Sequence, residues 1–514
     1  MPSRRKGDVI CLGLGSRGNY TAAHWSNLHV RTRGGAERGR VLPTQRFSSQ
    51  QSNLTKRRSD VFSSTHSFLP SPRQAAYAHE LRDPGYDPWT VFCGLDTRRE
   101  PTCSRMVCVD AKGSVRRELP DDNDHDHYLI DTSVELWEGG IADMSCSAPR
   151  RPPQDDTRRL YFGDFMGVKP GKLHVLSTLT RWTSEETAWS VRGERCPVHP
   201  DEMEGLEDSV RMLAEKSDSL AGFMTMVEDT GVWGNVASCM LQEIQDDYRG
   251  KTTFLFATRE QFGGDGTEGE EQGRQSRALL AEGLAVASLA PLVDMYVPIV
   301  GRGGASTSGS VDDMFRSSLI GAVGIFGATA PLMTTSSEPT TPTTSSAVFD
   351  MAALAGGIGH GHHQCPLATL DVFSPALDSP VALSRHARED PGRITEHISV
   401  LGDCGDEYKK LLSGEGVLLS HPSTRTISRI PAGVPRVRGM NEAGWSIPAG
   451  EASVSCASVI GSTTAFAPEL RSLAGLFEPR RARNRSALLE SWGVQGLGEE
   501  VHEALLTMAD CLSS

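Results

Sequence analysis

The segment from residue 201 to residue 257 constrains the fold of this chain more than any other. An apolar helix face is predicted at its start, where Met203, Leu206, Val210 and Leu213 recur at helical spacing. The run GFMTMV (222–227) then predicts a strand, EDTGVWGN (228–235) a turn-rich loop, the following residues a helix, and TTFLFA (252–257) another strand. This βαβ order predicts a parallel α/β sheet with ligand-binding loops at the carboxyl ends of its strands.

The segment DVICLGLGSRGNYTAAHW (8–25) repeats the pattern of strand, glycines and helix. It predicts a strand over residues 9–14 and a helix over residues 19–28. Its GxGxxG spacing also occurs in dinucleotide-binding folds, which need a second strand ending in an acid about 20 residues further on. Here the chain continues as RTRGGAERGR, without an apolar strand, so Glu37 is badly placed to hold a ribose. The dinucleotide interpretation therefore fails.

Four blocks, in order along the chain, carry a resemblance to a known family. They are DVICLGLGSRGNYTAAHWSNLH, RMVCVDAKGSV, SDSLAGFMTMVEDTGVWGNVASCMLQEIQDDYRGK and GSTTAFAPELRSLAGLF. The first three resemble the nucleotide-binding half of tubulins, and the set is more similar to the tubulin-like Misato family, also called DML1. The resemblance covers about half of the chain. It implies a tubulin/FtsZ-like α/β fold, a mostly parallel sheet flanked by helices, with a second α+β domain and disordered insertions.

The resemblance places phosphate-binding loops at residues that we take as vestigial cofactor-binding candidates. They are Gly15, Ser16, Gly18 and Asn19 in the first loop and Thr230, Gly231 and Gly234 in the central loop. Phosphate loops need backbone N–H groups that face the anion, and glycines that allow it to approach closely. The alternative is that these glycines only permit tight turns between strands and helices.

Several departures argue against GTP binding and hydrolysis, although GTP is the one cofactor that the resemblance raises. The central loop contains bulky Val232 and Trp233, and Glu228 and Asp229 bring negative charge close to the expected phosphates. Lys112 stands where tubulins have a metal-binding acid. Between residues 235 and 441 there is no asparagine to bind the base or to serve the catalytic loop. We predict no catalytic residue and no metal site.

Composition limits the remaining function classes. The net charge of −13 excludes general coating of nucleic acid. The 11 cysteines include no CxxC pair, which favours reduced thiols in the cytosol. DDNDHDHY (121–128) and GHGHHQC (359–365) are interpreted as loops rather than metal sites, and FGGDGTEGEEQG (262–273) as a flexible loop. The apolar run at 319–333 is too short for a membrane span, which needs about 20 residues.

The predicted organisation is a tubulin-like domain over residues 7–302 and a second α+β domain over residues 303–514. Insertions are predicted at about 31–75 and, with low complexity, at about 334–346. The arginines at 480, 481, 483 and 485 are either a contact for an anionic surface or a solvated helix end.

The family resemblance implies a non-enzymatic protein that governs mitochondrial distribution, morphology and inheritance. The expected location is the cytoplasm and the outer surface of the mitochondrion. The expected partners are a mitochondrial outer-membrane adaptor, or tubulin and its folding chaperones, and not nucleic acid. The alternatives are a tubulin-folding or spindle-assembly accessory protein, and an active GTPase that polymerises.

Overall fold

The computed structural model describes a set of segments that form two main sheets and the helices around them. These segments are residues 8–37, 104–112, 174–183, 198–259, 268–300, 311–333, 350–359, 365–377, 381–384, 393–402, 424–430, 433–437, 440, 445–447, 451, 453–478 and 498–513. The predicted insertion at 334–346 and most of the one at 31–75 lie outside them. So do the acidic tract at 121–128 and the arginines at 480–485.

The first sheet has six parallel strands. They are β1 (Asp8–Leu14), β2 (Met106–Lys112), β3 (His174–Thr183), β4 (Leu220–Val227), β5 (Thr252–Arg259) and β6 (Met295–Val300). Their order in space is β3-β2-β1-β4-β5-β6. The direction of progression reverses between β1 and β4, and ligands of doubly wound sheets bind at such a switch point, beyond the carboxyl ends of the strands. The predicted α/β class with a parallel sheet is confirmed.

Helices cover both faces of this sheet. They are α1 (Gly15–Glu37), α2 (Pro200–Glu215), α3 (Val232–Asp247), α4 (Glu268–Leu289), α5 (Val311–Thr329), α6 (Met351–Gly359), α7 (Phe466–Phe477) and α8 (Gly498–Ser513). Alternate strand residues face opposite sides, so β1 contributes Val9 and Cys11 to the core beneath α1 and α5. Ile10 and Leu12 point to the other core, which α2, α3 and α4 cover.

The second sheet has five strands in the order β10-β9-β13-β7-β8. They are β7 (Thr369–Phe373), β8 (Val381–Ala382), β9 (Arg393–Leu401), β10 (Thr424–Ile430) and β13 (Cys456–Thr463); β11 (Val434–Pro435) and β12 (Ser453–Val454) form a separate pair. Only β9 and β10 pair in parallel, so this sheet is mixed. Helix α5 lies between the two sheets, and a Cβ on its Gly327 would lie 1.9 Å from Ser458 Oγ.

Helices α7 and α8 return to the first sheet. They pack against each other and against α4, and Leu473, Phe477 and Leu505 join the core beneath α2, α3 and α4. Residues 303–514, predicted as a second domain, thus contribute two helices to the layer that covers the first sheet.

The local predictions for β1, β4, β5, α2 and α3 are confirmed to within two or three residues at most boundaries. The prediction of a flexible loop at 262–273 is wrong for residues 268–273, which form the first turns of α4. Glu268, Glu270 and Glu271 are compatible with a helix start, because negative side chains are stabilised by the positive N-terminal end of the helix dipole. Helix α1 also begins earlier than predicted, at Gly15, and continues to Glu37, so the insertion predicted at about 31–75 is wrong for residues 31–37.

One helical stretch among the described residues, Met314–Met333, is long and apolar enough to cross a membrane by length and composition. Within the fold, 78% of it is buried. Its packing between two sheets accounts for an apolar surface on all sides.

Candidate functional site

The two loops predicted to bind phosphate meet at the switch point of the first sheet. Strands β1 and β4 are neighbours, and Leu14 pairs with Val227 at their carboxyl ends. Helix α1 follows β1 directly, whereas residues 228–231 connect β4 to α3. Both loops therefore lie at the carboxyl-end edge of the sheet. The crevice between them is closed by side chains of the chain itself.

Trp233 fills the space above the first glycine of α1. A Cβ on Gly15 would lie 2.5 Å from Cδ1 of Trp233, and the φ angle of Gly15 is +75°. Both the contact and the backbone angle require glycine at this position. Trp233 itself is only 5% exposed. The indole therefore closes the place where a phosphate would approach the start of α1.

The other glycines of the two motifs also support close packing. A Cβ on Gly18 would lie 2.5 Å from the carbonyl oxygen of Met226, so α1 rests directly on β4. In the central loop, a Cβ on Gly234 would lie 2.1 Å from the carbonyl oxygen of Asp229. Gly231 is the N-cap of α3, and the N–H of Gly234 donates to its carbonyl at 3.0 Å. These contacts agree with the interpretation of the glycines as turn and packing residues.

The remaining predicted residues lie around one buried carboxyl group, that of Asp110 on β2. Asn19 donates through Nδ2 to the carbonyl of Val109 at 2.8 Å and to Asp110 at 3.3 Å. Ser16 Oγ lies 3.4 Å from the nearer oxygen of Asp110. Thr230 is half-buried in the loop between β4 and α3. Ser16 and Asn19 are thus brought together, but their polar groups face a carboxylate.

Burial raises the pKa of Asp110 to about 7, although hydrogen bonds from the Ala111 N–H, Asn19 and Ser16 oppose this shift. The nearby charge of Glu228 adds to the increase. Asp110 therefore carries a proton for part of the time at neutral pH. A carboxyl group with this pKa suits acid–base chemistry, but Asp110 is 1% exposed and lies behind Ser16 and Asn19.

A second carboxylate lies at the start of α1. The backbone N–H of Arg17 makes a long hydrogen bond of 3.5 Å to Glu228 Oε2, and Arg17 Nε lies 4.0 Å from Glu228 Oε1. The N–H of Glu228 donates to the carbonyl of Leu14 at 3.1 Å and fixes this residue beside the helix. Free N–H groups at a helix start are natural anion sites. Here the protein supplies its own anions.

Next to this edge lies a buried charged network that the sequence analysis did not find. Arg259, the last residue of β5, donates to Asp229 through Nε at 3.0 Å and through Nη2 at 2.7 Å. Its Nη1 pairs with Glu282 of α4. Tyr296 of β6 donates its hydroxyl proton to Asp229 and lies 2.7 Å from Arg259 Nη2. Asp229 has no exposed surface, and Arg259 is 5% exposed.

The charges in this network stabilise one another. Burial alone would lower the pKa of Arg259, but the charges of Asp229, Tyr296 and Glu282 raise it well above its usual range. Burial likewise raises the pKa of the Tyr296 hydroxyl well above its usual range, so it stays protonated and donates to Asp229. The sequence contains only a weak signal for this network: Arg259 ends an apolar strand, and Glu282 interrupts an apolar helix face.

Two small cavities lie beside the network in the part of the chain that the structure describes. One is bounded by β6, α4 and α7, with Arg259 and Glu282 on its wall, and the other by α1 and α5, with Arg17 and Arg259. Each has a volume of about 20 Å³, which holds about one water molecule. Neither is of the size that a nucleotide needs.

The described residues do not support a metal site. The described segments contain no group of three or more histidine, cysteine, aspartate or glutamate side chains that could hold a metal ion. Lys112 is the last residue of β2. Within the histidine-rich run at 359–365, only its first residue, in α6, and Cys365, which is buried, are described.

No protein-family model matches this chain, and no curated protein matches it significantly.

Proposed function

We propose that this chain is a non-enzymatic, tubulin-like scaffold that works without nucleotide and takes part in the distribution and morphology of mitochondria. The closed switch point is the observation that supports a function without nucleotide. Trp233 covers Gly15, and Glu228 and Asp110 present carboxylates to the first turn of α1. A triphosphate would meet negative charge and an indole ring where it needs free N–H groups.

The tubulin-like part of the proposal is supported by the resemblance of the four sequence blocks and by their position in the parallel α/β fold. The first block forms β1 and most of α1, the second β2, the third β4 and α3, and the fourth the end of β13 and α7. The role at mitochondria is supported by the resemblance to the Misato family alone. Fold by itself would not support it, because one fold serves many functions.

Nucleotide binding is tested by titration calorimetry of the purified chain with GTP and Mg²⁺, together with a phosphate-release assay. We expect neither heat of binding nor release of phosphate. The double variant Glu228→Gly, Trp233→Gly removes one carboxylate and the indole, and weak binding that appears only in this variant would support the steric and electrostatic explanation. Glu243→Gln, at an exposed position of α3, is the matched control and should behave like the wild type. Turnover by the wild type would favour the alternative of an active GTPase.

The cellular role is tested by depletion followed by imaging of mitochondria and microtubules. The proposal expects clustered or unevenly inherited mitochondria while the pool of soluble tubulin stays normal. A fall in soluble tubulin that precedes any mitochondrial change, together with capture of chaperonin subunits, would favour the tubulin-folding accessory instead. Partners at the outer mitochondrial surface, such as a membrane adaptor, should be recovered by proximity labelling only if the first role is correct.

A further inference from the structure

We infer that Asp229, Arg259, Glu282 and Tyr296 form a buried coupling between the β4–α3 loop and the second sheet. In this arrangement the loop is held by protein side chains instead of a ligand, and its position is linked to the strand that begins the second sheet. The inference rests on contacts of described residues and does not depend on the proposed cellular role.

On the loop side, both the backbone and the side chain of Asp229 are fixed. The carboxylate receives hydrogen bonds from Arg259 and from Tyr296. The carbonyl oxygen of Asp229 packs against Gly234 in the first turn of α3. Thr258, beside Arg259, donates its hydroxyl proton to the carbonyl of Val227 at 3.0 Å. The loop therefore cannot shift without breaking contacts to the end of β5.

On the second-sheet side, Tyr296 is the connecting residue. Its N–H donates to the carbonyl of Pro366 at 2.8 Å, and its carbonyl accepts from the N–H of Ala368 at 2.9 Å. These bonds lay residues 365–368 alongside β6, directly before β7 begins at Thr369. The same residue thus binds the loop through its side chain and the second sheet through its backbone.

The coupling is strong because three of its members are buried ions and the fourth, Tyr296, donates a hydrogen bond to one of them. Arg259 is bonded to two carboxylates in a space closed to water, and a buried ion that loses one partner is left uncompensated. Displacing Asp229 would therefore also disturb Arg259 and Tyr296. Anything that moves the β4–α3 loop, such as a partner protein bound at the switch point, should loosen the contact between β6 and residues 365–368.

Hydrogen–deuterium exchange of the full chain, read by mass spectrometry, tests this coupling. Tyr296→Phe removes only the hydroxyl group, whereas Asp229→Asn removes the charge and replaces one accepting oxygen by a donating NH2 group. We expect each variant to accelerate exchange on the order of 10-fold in two separate places, residues 228–236 and residues 365–373. Exchange in β3, at the far edge of the first sheet, should not change. Tyr248→Phe, at a half-buried tyrosine that caps the C-terminus of α3 outside the network, is the matched control.

Three outcomes decide the matter. Faster exchange at both places, with the double variant no faster than the more affected single variant, is the result expected of one shared contact. Faster exchange confined to residues 228–236 would overturn the coupling and leave a local role for Asp229. An equal increase throughout the chain would overturn it as well, because it would indicate general loss of stability.

Discussion

Three buried histidines should make this protein lose stability in mild acid. His24 and His29 lie on α1 and face α5, where their rings are 4.6 Å from Phe315 and 4.8 Å from Phe326. His397 lies on β9. Burial lowers the pKa of His24 and His29 to about 3 and that of His397 to about 4. All three therefore stay neutral in the folded chain at pH 5.

The magnitude follows from the difference between the folded and unfolded states. An unfolded histidine has a pKa of 6.5 and binds a proton as the pH falls below that value. At pH 5 each buried histidine then favours the unfolded chain by about 2 kcal/mol, or about 6 kcal/mol for the three. These histidines leave the free energy of unfolding at its full value above pH 6.5, and lower it progressively as the pH falls below that value.

Asp110 acts in the opposite direction. Its pKa is about 7 in the folded chain, above its ordinary value of 3.8, so the folded state binds a proton first as the pH falls. Between pH 7.5 and pH 5 this favours folding by about 2 to 3 kcal/mol. The four groups together predict a net loss of about 3 to 4 kcal/mol, which is a large part of the 5 to 15 kcal/mol by which typical proteins are stable.

The assay is equilibrium unfolding in guanidinium chloride at pH 7.5, 6.0 and 5.0, followed by circular dichroism. His29→Phe keeps an aromatic ring between Trp25 and Phe326 and should reduce the acid-induced loss by about 2 kcal/mol. The control Phe223→Leu, in the other core, should lower the free energy of unfolding by the same amount at every pH, because neither side chain titrates. The reasoning is refuted if the wild type is equally stable at pH 7.5 and 5.0, or if His29→Phe leaves the loss unchanged.

Two further predictions concern single substitutions. Gly18→Ala should lower the free energy of unfolding by about 2 kcal/mol, since its Cβ would meet the carbonyl of Met226 at 2.5 Å. Gly205→Ala, in α2 with no atom within 4 Å of its Cβ, should instead raise the free energy of unfolding by up to about 1 kcal/mol. Thermal denaturation of both variants separates the effect of close packing from that of helix propensity. Asp110→Asn should stabilise the chain relative to wild type at pH 8.5 but not at pH 5. The folded wild type bears the cost of an ionised buried carboxylate only above the raised pKa of Asp110, about 7. An equal effect in denaturation curves at the two pH values would contradict this.

The parts of the fold that the sequence predicted were those determined by local patterns. The strands at 9–14, 222–227 and 252–257 are continuous apolar runs, and such runs form buried parallel strands wherever turn residues bound them. The helical spacing of Met203, Leu206, Val210 and Leu213 identified the buried face of α2 for the same reason. The βαβ order of residues 201–257 also predicted the parallel pairing of β4 and β5.

What the sequence could not predict depends on contacts between distant residues. Trp233 and Gly15 are more than 200 positions apart, so nothing local indicates that an indole covers the first turn of α1. The partners in the Asp229 network are separated by up to 67 residues along the chain. The acidic run at 268–273 was misassigned because glycine and charge favour a loop locally, whereas the helix start is stabilised by the remainder of α4.

The packing of α7 and α8 on α4 has a consequence for how the chain is made. Ribosomes add about 5 to 20 residues per second, so the roughly 200 residues between α4 and α8 take on the order of 10 to 40 s to synthesise. The apolar side of α4 that will receive Phe477 and Leu505 stays uncovered until α7 has been made, and only partly covered until α8 has been made. The core on this face of the first sheet is therefore incomplete for most of translation. A nascent chain of this protein exposes an aggregation-prone apolar surface until α8 has emerged.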